Sequence, residues 1–184
     1  MVGEEFAALL AAAKEGDETA FSALWRDANP ALLRYLRVAT PGYAEDVAAE
    51  TWVQVLRGLA QFTGDETAWR AWLFTNARRR VLDQVRHRAR HPAESLDDLH
   101  AADLPRTADA AQLAMDNIAT ERAIALVSRL PAQQAEVIML RVVAGLETEA
   151  VAKILGRSPG AVRVAAHRGL KKLATMLAGA GVTL

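Results

Sequence analysis

The chain has 184 residues, of which 52% are hydrophobic and 24% are charged, and it contains no cysteine. This length suits one or two small domains with apolar cores, and the lack of cysteine excludes disulfides and thiolate metal sites. The alternating pattern of β-branched residues that is typical of strands is scarce, which favours an all-α protein. The apolar runs are too short to cross a membrane. Met1–Ala12 lacks the basic residues with which a secretory signal begins. We therefore expect a cytoplasmic protein without membrane insertion or a secretory signal.

Apolar residues at helical spacing predict two helices near the N-terminus. The first covers Phe6–Lys14, and the second begins near Glu18. Pro30 falls within the second helix and predicts a kink or a boundary near Asn29, because proline removes a backbone donor and restricts the residue before it.

A third helix is predicted over Ala44–Leu59. Its apolar stripe consists of Val47, Thr51, Val55 and Leu59, widened by Trp52 and Leu56. Its other face is polar and carries Glu45, Asp46, Glu50 and Gln54.

A turn-rich connection, Gln61–Thr67, leads into a long helix over Trp69–Arg90. The end of this helix is strongly basic, with six arginines and one acid between Arg78 and Arg90. A tryptophan at helical spacing is more often a core residue than a ligand contact, so both roles stay open for Trp69 and Trp72.

The segment His91–Asp109 is predicted to be a linker, since it is polar and contains two prolines. Six acids and one base lie between Glu94 and Asp116. His87 and His91 have metal-ligand spacing, and Glu94 or His100 could add a third ligand. The neighbouring arginines would repel a dication, so we expect no metal.

The C-terminal part predicts further helices over Ala110–Leu130 and Gln133–Val143, separated by Pro131. The stretch from Ala144 to Lys172 then has the pattern of a helix-turn-helix. Gly156 suits the end of its first helix, and Ser158 with Pro159 suits the start of the second. The second helix is basic, as in proteins that read the major groove, although an ordinary helical hairpin with a solvated basic face is the alternative.

Two parts of the chain resemble bacterial sigma factors of the extracytoplasmic-function class of the sigma-70 family. The part similar to region 2 consists of Glu45-Asp46, Glu50-Thr51 and the run FTGDETAWRAWLFTNARRRVLD from Phe62 to Asp83. Leu130-Pro131-Ala132 and the run VIMLRVVAGL from Val137 to Leu146 resemble the start of region 4. The resemblance implies two small helical domains, residues 1–90 and 110–184, joined by an acidic linker, residues 91–109.

In that class, region 2 takes the minus-ten promoter element as single-stranded DNA, and region 4 reads the minus-thirty-five element in the duplex. The resemblance implies that the minus-ten set is Trp69, Trp72, Asn76, Arg79, Arg80 and Arg86. It implies that the minus-thirty-five set is Arg157, Ser158, Arg163, Val164, Ala165, His167, Arg168, Lys171 and Lys172. Arg163 is the best candidate for a guanine contact, because arginine pairs with two acceptors on that base.

The face with Asp46, Glu50 and Gln54 resembles the surface with which these factors grip the coiled coil of the largest polymerase subunit. The resemblance thus implies core RNA polymerase and promoter DNA as partners, and it leaves open whether an anti-sigma protein is a further one. It also implies a monomer that needs no cofactor and is not an enzyme. Two other classes compete: a free-standing helix-turn-helix regulator with a dimerisation or sensing domain, and a metal-dependent helical enzyme or stress protein.

Two expectations concern local structure and domain arrangement. Family members often have serine where Glu147 stands, so we expect Thr148 to cap the first helix of the helix-turn-helix. The linker offers little to dock the domains, and relative motion is the default. The resting factor is then either self-packed or occluded by an anti-sigma protein.

Overall fold

A computed structural model of the protein describes residues 2–90 and 120–179, and every regular element within these ranges is helical. The predicted all-α class is confirmed. The first group of helices is α1 (Phe6–Lys14), α2 (Glu18–Ala39), α3 (Ala44–Gly58) and α4 (Glu66–Arg90), with 3₁₀ turns at Gly3–Glu5 and Leu59–Gln61. The second group is α5 (described over residues 120–128), α6 (Ala132–Ile138), α7 (Thr148–Leu155) and α8 (Pro159–Gly179). The predicted linker with His91 and His100, and residues 110–119 of the helix predicted over Ala110–Leu130, lie outside the described residues.

The first group packs around one apolar core. Each of its four α-helices contributes buried side chains, such as Leu10, Leu32, Val55 and Leu73. Asp17 caps α2 by accepting hydrogen bonds from the amides of Thr19 and Ala20. The sequence periodicity placed α1 and α3 to within one residue and gave the start of α2 correctly, because their buried stripes are continuous. α4 begins at Glu66, three residues before the predicted start and within the predicted connection, because Asp65 caps it.

α2 is one unbroken helix from Glu18 to Ala39, with Pro30 inside it. The alternative of a helix boundary near Asn29 was therefore wrong. Ala28, Ala31 and Leu32 on both sides of the proline are buried, so packing on either side offsets the backbone hydrogen bond that proline removes. Asn29 instead accepts a hydrogen bond from the Trp52 indole nitrogen at 2.9 Å.

α6 ends in a π-helical turn, Met139–Val143, instead of continuing as one α-helix. The amide of Ala144 donates to the carbonyl of Met139 at 2.9 Å, and that of Leu146 donates to Leu140 at 3.0 Å. Leu146 is thereby buried beneath the helix-turn-helix. This wider turn sets the direction in which the chain enters α7.

Helices α7 and α8 form the predicted helix-turn-helix. Gly156 has φ of 64° and ends α7 in the left-handed conformation that glycine adopts without steric cost. The Ser158 hydroxyl accepts a hydrogen bond from the amide of Ala161 at 3.2 Å and caps α8. Both predicted caps are confirmed.

The start of α7 differs from the expectation. Glu147 occupies the N-cap position without a side-chain capping bond, and Thr148 is already the first helical residue. The prediction that Thr148 caps α7 was therefore wrong. The Glu147 carboxylate lies 3.5 Å from Arg141, whose guanidinium also donates to the carbonyl of Leu146 and fixes the chain just before the helix.

The two helical groups touch each other. The π-helical turn and α6 pack against α2, and α7 packs against α4. None of the helices in the described ranges is long and apolar enough to cross a membrane.

Candidate nucleic-acid interface

The minus-ten candidates lie on one side of α4. At about 100° per residue, Trp72, Asn76, Arg79, Arg80 and Arg86 fall within an arc of about 120° on the helix surface. Arg79 and Arg86 are exposed, and the other three are half-buried. The helix thus presents guanidinium groups and one aromatic ring together, which is a combination suited to phosphates and unstacked bases.

Trp69 does not belong to this surface. Only 2% of its area is exposed. Its ring packs against Phe6, Phe62 and Trp72 at centroid distances of 6.3, 5.5 and 5.6 Å. The inclusion of Trp69 among the DNA-binding residues is corrected accordingly: its indole belongs to the core and has no free face for a base.

Trp72 lies at the edge of that aromatic cluster. Its ring stacks on Phe62 at 5.0 Å between centroids, with 27° between the planes. Its backbone carbonyl accepts a hydrogen bond from the Asn76 side-chain amide at 2.9 Å. The Asn76 side chain is therefore held in place, and its amide oxygen remains to accept a bond from a ligand.

The loop before α4 is held by polar contacts. Asp65 caps α4 by accepting from the amide of Ala68 at 2.8 Å, and the Lys14 ammonium donates to the carbonyl of Phe62. Gly64 has φ of 145°, and a Cβ there would lie 2.7 Å from Ala68, so a larger residue would not fit. The loop and the α4 face are thus fixed relative to each other.

The arginines of the basic block have different surroundings. The Arg88 guanidinium lies 3.7 Å from the ring centroid of Tyr43, a cation–π contact that holds the end of α4 to the α2–α3 turn. Arg80 and Arg86 approach Asp83 at 3.8 and 3.3 Å. Arg78 faces the second helical group. Several arginines of the block are therefore engaged within the protein, which the charge of the block alone did not show.

The basic side chains of α8 form the second surface. Arg163, His167, Arg168, Lys171 and Lys172 are all exposed, while Val162 is buried on the opposite side. Arg157 and Ser158 are exposed in the turn before the helix. This is the arrangement in which a second helix can enter the major groove.

An acid that the sequence interpretation did not use lies beside the main guanine candidate. The Glu149 carboxylate, in the first turn of α7, is 3.4 Å from the Arg163 guanidinium. Both side chains are well exposed, so the pair adds little stability. Val164 is exposed and Ala165 is half-buried, which leaves Val164 as the better placed of the two apolar candidates.

The acidic face of α3 contains two exposed apolar side chains. Asp46 and Glu50 are exposed and Gln54 is half-buried. Val53 and Leu56 lie beside them with 45% and 51% of their area exposed. Leu56 was expected in the buried stripe, and that expectation was wrong. Val53 and Leu56 are three residues apart, so they form one small apolar area beside the acids.

The contact between the helical groups centres on one carboxylate. Oε1 of Glu136 in α6 accepts from Nε of Arg78 at 2.9 Å and from the hydroxyl of Tyr35 at 3.4 Å. Burial raises the pKa of Tyr35 well above its ordinary value, and Glu136 raises it further. The hydroxyl therefore stays protonated and is the donor of this bond.

Among the described residues, no group of histidine and acidic side chains is placed to hold a metal ion. His91, Glu94 and His100 are not among them. The described faces of α4 and α8 instead carry mainly cationic side chains, several of them paired with acids or rings of the same chain.

Comparison with known families identifies the class. The family model of Sigma-70 region 2 matches residues 24–91, and that of Sigma-70, region 4 matches residues 120–173. The chain belongs to the sigma-70 family, and its two helical groups are the region 2 and region 4 domains.

Individual relatives indicate which group of sigma-70 factors the chain is similar to. The chain is 34% identical to the ECF RNA polymerase sigma factor SigD of Mycobacterium tuberculosis, over 98% of this chain and 88% of the relative. It is also 34% identical to the ECF RNA polymerase sigma factor ShbA of Streptomyces griseus, over 90% and 92%. Its fold is similar to that of the sigma factor RpoE in complex with the anti-sigma factor NepR from Bartonella quintana, with a TM-score of 0.63 and 23% identity over 85% of this chain and 96% of that one. This chain is an extracytoplasmic-function sigma factor that directs promoter recognition, and a free-standing regulator is not favoured.

Proposed function

We propose that the chain binds core RNA polymerase through α3 and positions it on promoters through two separate DNA surfaces. The exposed side of α4 takes the minus-ten element as single-stranded DNA, and α8 reads the minus-thirty-five element in the duplex. The observation that carries the proposal is the grouping of Trp72, Asn76, Arg79, Arg80 and Arg86 on one side of a single rigid helix.

The two DNA surfaces suit different tasks. On α4, the half-buried Trp72 and the tethered Asn76 amide stand beside cationic groups, so a separated base meets a ring, a hydrogen-bonding group and a charge together. On α8, the exposed side chains are long and basic, which suits base edges and phosphates in the major groove. Arg163 is the residue proposed to contact guanine, and Lys171 and Lys172 are proposed to contact phosphates.

The α3 face is proposed as the polymerase-binding surface. Asp46, Glu50 and Gln54 supply charge and hydrogen bonds, and the exposed Val53 and Leu56 add apolar area next to them. An interface of this kind combines an apolar centre with a polar rim. The factor binds polymerase as a monomer in the cytoplasm, where polymerase works, and it performs no catalysis of its own.

An anti-sigma protein is proposed as a further partner. The support is the solved structure of a sigma factor of this fold in complex with an anti-sigma factor. The present chain offers a corresponding target, because its polymerase-binding and DNA-binding surfaces are exposed on helices that another protein can cover.

Retention of core polymerase on the immobilised chain tests the proposed α3 surface. We expect the unmodified chain to retain polymerase and the double variant Asp46→Lys/Glu50→Lys to lose it. The matched control is Glu15→Lys/Glu18→Lys, which makes the same charge change at exposed acids outside α3. Equal retention by both variants would show that α3 is not the contact. A chain that retained no polymerase but bound operator DNA as a dimer would instead be a free-standing regulator.

A further inference from the structure

We propose that the N-terminal segment, residues 2–14, braces the proposed single-strand surface of α4, and that Lys14 is a positioning residue for the bases bound there. The brace holds the loop before α4, residues 62–65, where Phe62 supports Trp72. The inference rests on the proposed function for its consequence in DNA binding. The brace itself stands on contacts within the first domain.

The N-terminal segment holds the loop at both ends. At one end, the ammonium of Lys14, the last residue of α1, donates a hydrogen bond to the carbonyl of Phe62. At the other end, the carboxylate of Glu66, the first residue of α4, accepts hydrogen bonds from the amides of Val2 at 2.9 Å and Gly3 at 3.0 Å. The four loop residues therefore lie between two fixed points that both belong to the N-terminal segment.

The segment can act as a support because it is packed into the core. Phe6, Leu10 and Ala13 of α1 are buried, and the Phe6 ring lies 6.3 Å from the ring of Trp69. Lys14 is half-buried, and a hydrogen bond that is partly shielded from water is electrostatically stronger than one on an open surface. The end of α1 thus offers a fixed donor to the loop.

Phe62 connects the loop to the proposed DNA side of α4. Its side chain is buried, and its ring packs on Trp69 and Trp72 at centroid distances of 5.5 and 5.0 Å. Gly58, at the end of α3, also approaches the indole of Trp72, since a Cβ there would lie 2.8 Å from the ring. The indole has no room to move towards α3, so the position of Phe62 decides where the indole stands beside Asn76.

A positioning role and a direct DNA contact by Lys14 have different consequences. A lysine that contacts phosphate strengthens binding to every sequence alike. A lysine that holds the loop raises the fraction of chains in which Trp72 and Asn76 are set to receive a base, and only a sequence that uses this arrangement gains affinity. The two roles can therefore be separated by the sequence preference of the variants.

Single-strand binding by the factor on core polymerase makes this separation. The probe is a labelled single-stranded oligonucleotide that the unmodified factor selects from a random pool, and the reference is the same oligonucleotide with its sequence scrambled. Lys14→Met keeps the stem and removes the donor, and Lys14→Arg restores a donor. The matched control is Arg34→Met, because the Arg34 guanidinium also donates to a backbone carbonyl, that of Pro30 at 3.0 Å within α2.

We expect Lys14→Met to weaken binding of the selected oligonucleotide by about tenfold, the lower end of what a hydrogen bond to a charged group is worth. Binding of the scrambled oligonucleotide should change no more than it does in Arg34→Met. Lys14→Arg should bind both as the unmodified factor does. Equal losses for the two oligonucleotides would show that Lys14 contacts DNA directly, and no loss for either would show that it positions nothing. Both results would overturn the proposal.

Hydrogen exchange reports the brace without polymerase or DNA. The Phe62 amide donates to the carbonyl of Gly58 at 3.1 Å, so it exchanges with solvent only when the start of the loop opens. We expect this exchange to be about tenfold faster in Lys14→Met than in Arg34→Met. Glu66→Gln, which replaces one of the two accepting oxygens with a donor, should loosen the loop from its other end.

Unchanged exchange in Lys14→Met would contradict the brace. If the unmodified factor on core polymerase selected no single-stranded sequence, the proposed function of α4 would fail instead. Exchange at Phe62 would then still decide whether the N-terminal segment holds the loop.

Discussion

The two proposed DNA surfaces are supported in different ways. The minus-ten side of α4 stands on an aromatic cluster of Phe6, Phe62 and Trp69, with Trp72 at its edge. The minus-thirty-five side of α8 is a row of long, exposed side chains positioned by a glycine turn and one serine cap. The proposed single-strand surface is thus built on a packed aromatic core, while the proposed duplex surface rests on a correctly started helix.

The same difference appears in the charged groups. In the first domain, the Arg70 guanidinium lies 2.6 Å from Asp27, and these side chains are only 11% and 20% exposed. In the helix-turn-helix, the Arg163–Glu149 pair is about two-thirds exposed. Substitutions beneath α4 should therefore change folding first, and substitutions on α8 should change DNA binding with little effect on folding.

The largest expected effect is at the aromatic cluster. Trp69→Ala removes a buried indole and should lower the free energy of unfolding by about 3–5 kcal/mol, because a cavity remains in the core. Trp72→Ala, at the half-buried edge, should cost less stability and weaken binding of single-stranded minus-ten DNA. Chemical denaturation and a binding assay measure the two effects. A Trp69→Ala chain with unchanged stability and weakened DNA binding would return Trp69 to the DNA surface.

The buried ion pair should have the next largest effect. Asp27→Ala leaves the Arg70 charge in a mostly buried place, with the Glu66 carboxylate 3.8 Å away, and should cost about 3 kcal/mol. Glu45→Ala, which breaks an exposed pair with Arg37, should cost about 0–1 kcal/mol. Denaturation midpoints compare them. Equal losses would mean that burial does not govern the strength of these pairs.

On α8, the expected change is in specificity. Arg163→Ala should reduce discrimination at one base position by about 1–3 kcal/mol, since a bidentate guanine contact is lost. Lys172→Ala should weaken binding to all duplexes equally and reduce the salt dependence of affinity. Titrations against a set of single-base variants of the minus-thirty-five duplex separate the two outcomes. If Arg163→Ala left both base preference and affinity unchanged, Arg163 would not be one of the residues that contact the bases.

The smallest expected effect concerns the helix caps. Ser158→Ala should destabilise the second domain by about 1 kcal/mol because the hydrogen bond to the Ala161 amide is lost. Thr148→Ala should have little effect, since Thr148 makes no capping bond in α7. Thermal unfolding of the two variants provides the comparison, and a larger loss in Thr148→Ala would reverse this assignment.

Local features of the fold were predictable from sequence, and tertiary placements were not. The bounds of α1, the Gly156 turn and the Ser158 cap follow from neighbouring residues alone. Periodicity did not show that Trp69 is covered while Leu56 is exposed, because both continue an apolar stripe and only the packing of other helices separates them. In the same way, charge alone did not show that Arg78 meets Glu136 and Arg88 meets Tyr43 while Arg79 stays exposed.

Run-off transcription with core polymerase on genomic fragments tests the central claim most directly. We expect discrete transcripts that depend on the added chain, that decline when Arg79 and Arg80 are both changed to alanine, and that are lost with Asp46→Lys/Glu50→Lys. The control Glu15→Lys/Glu18→Lys should support the same transcripts as the unmodified chain. Core polymerase that produces no chain-dependent transcript on any fragment would contradict the account.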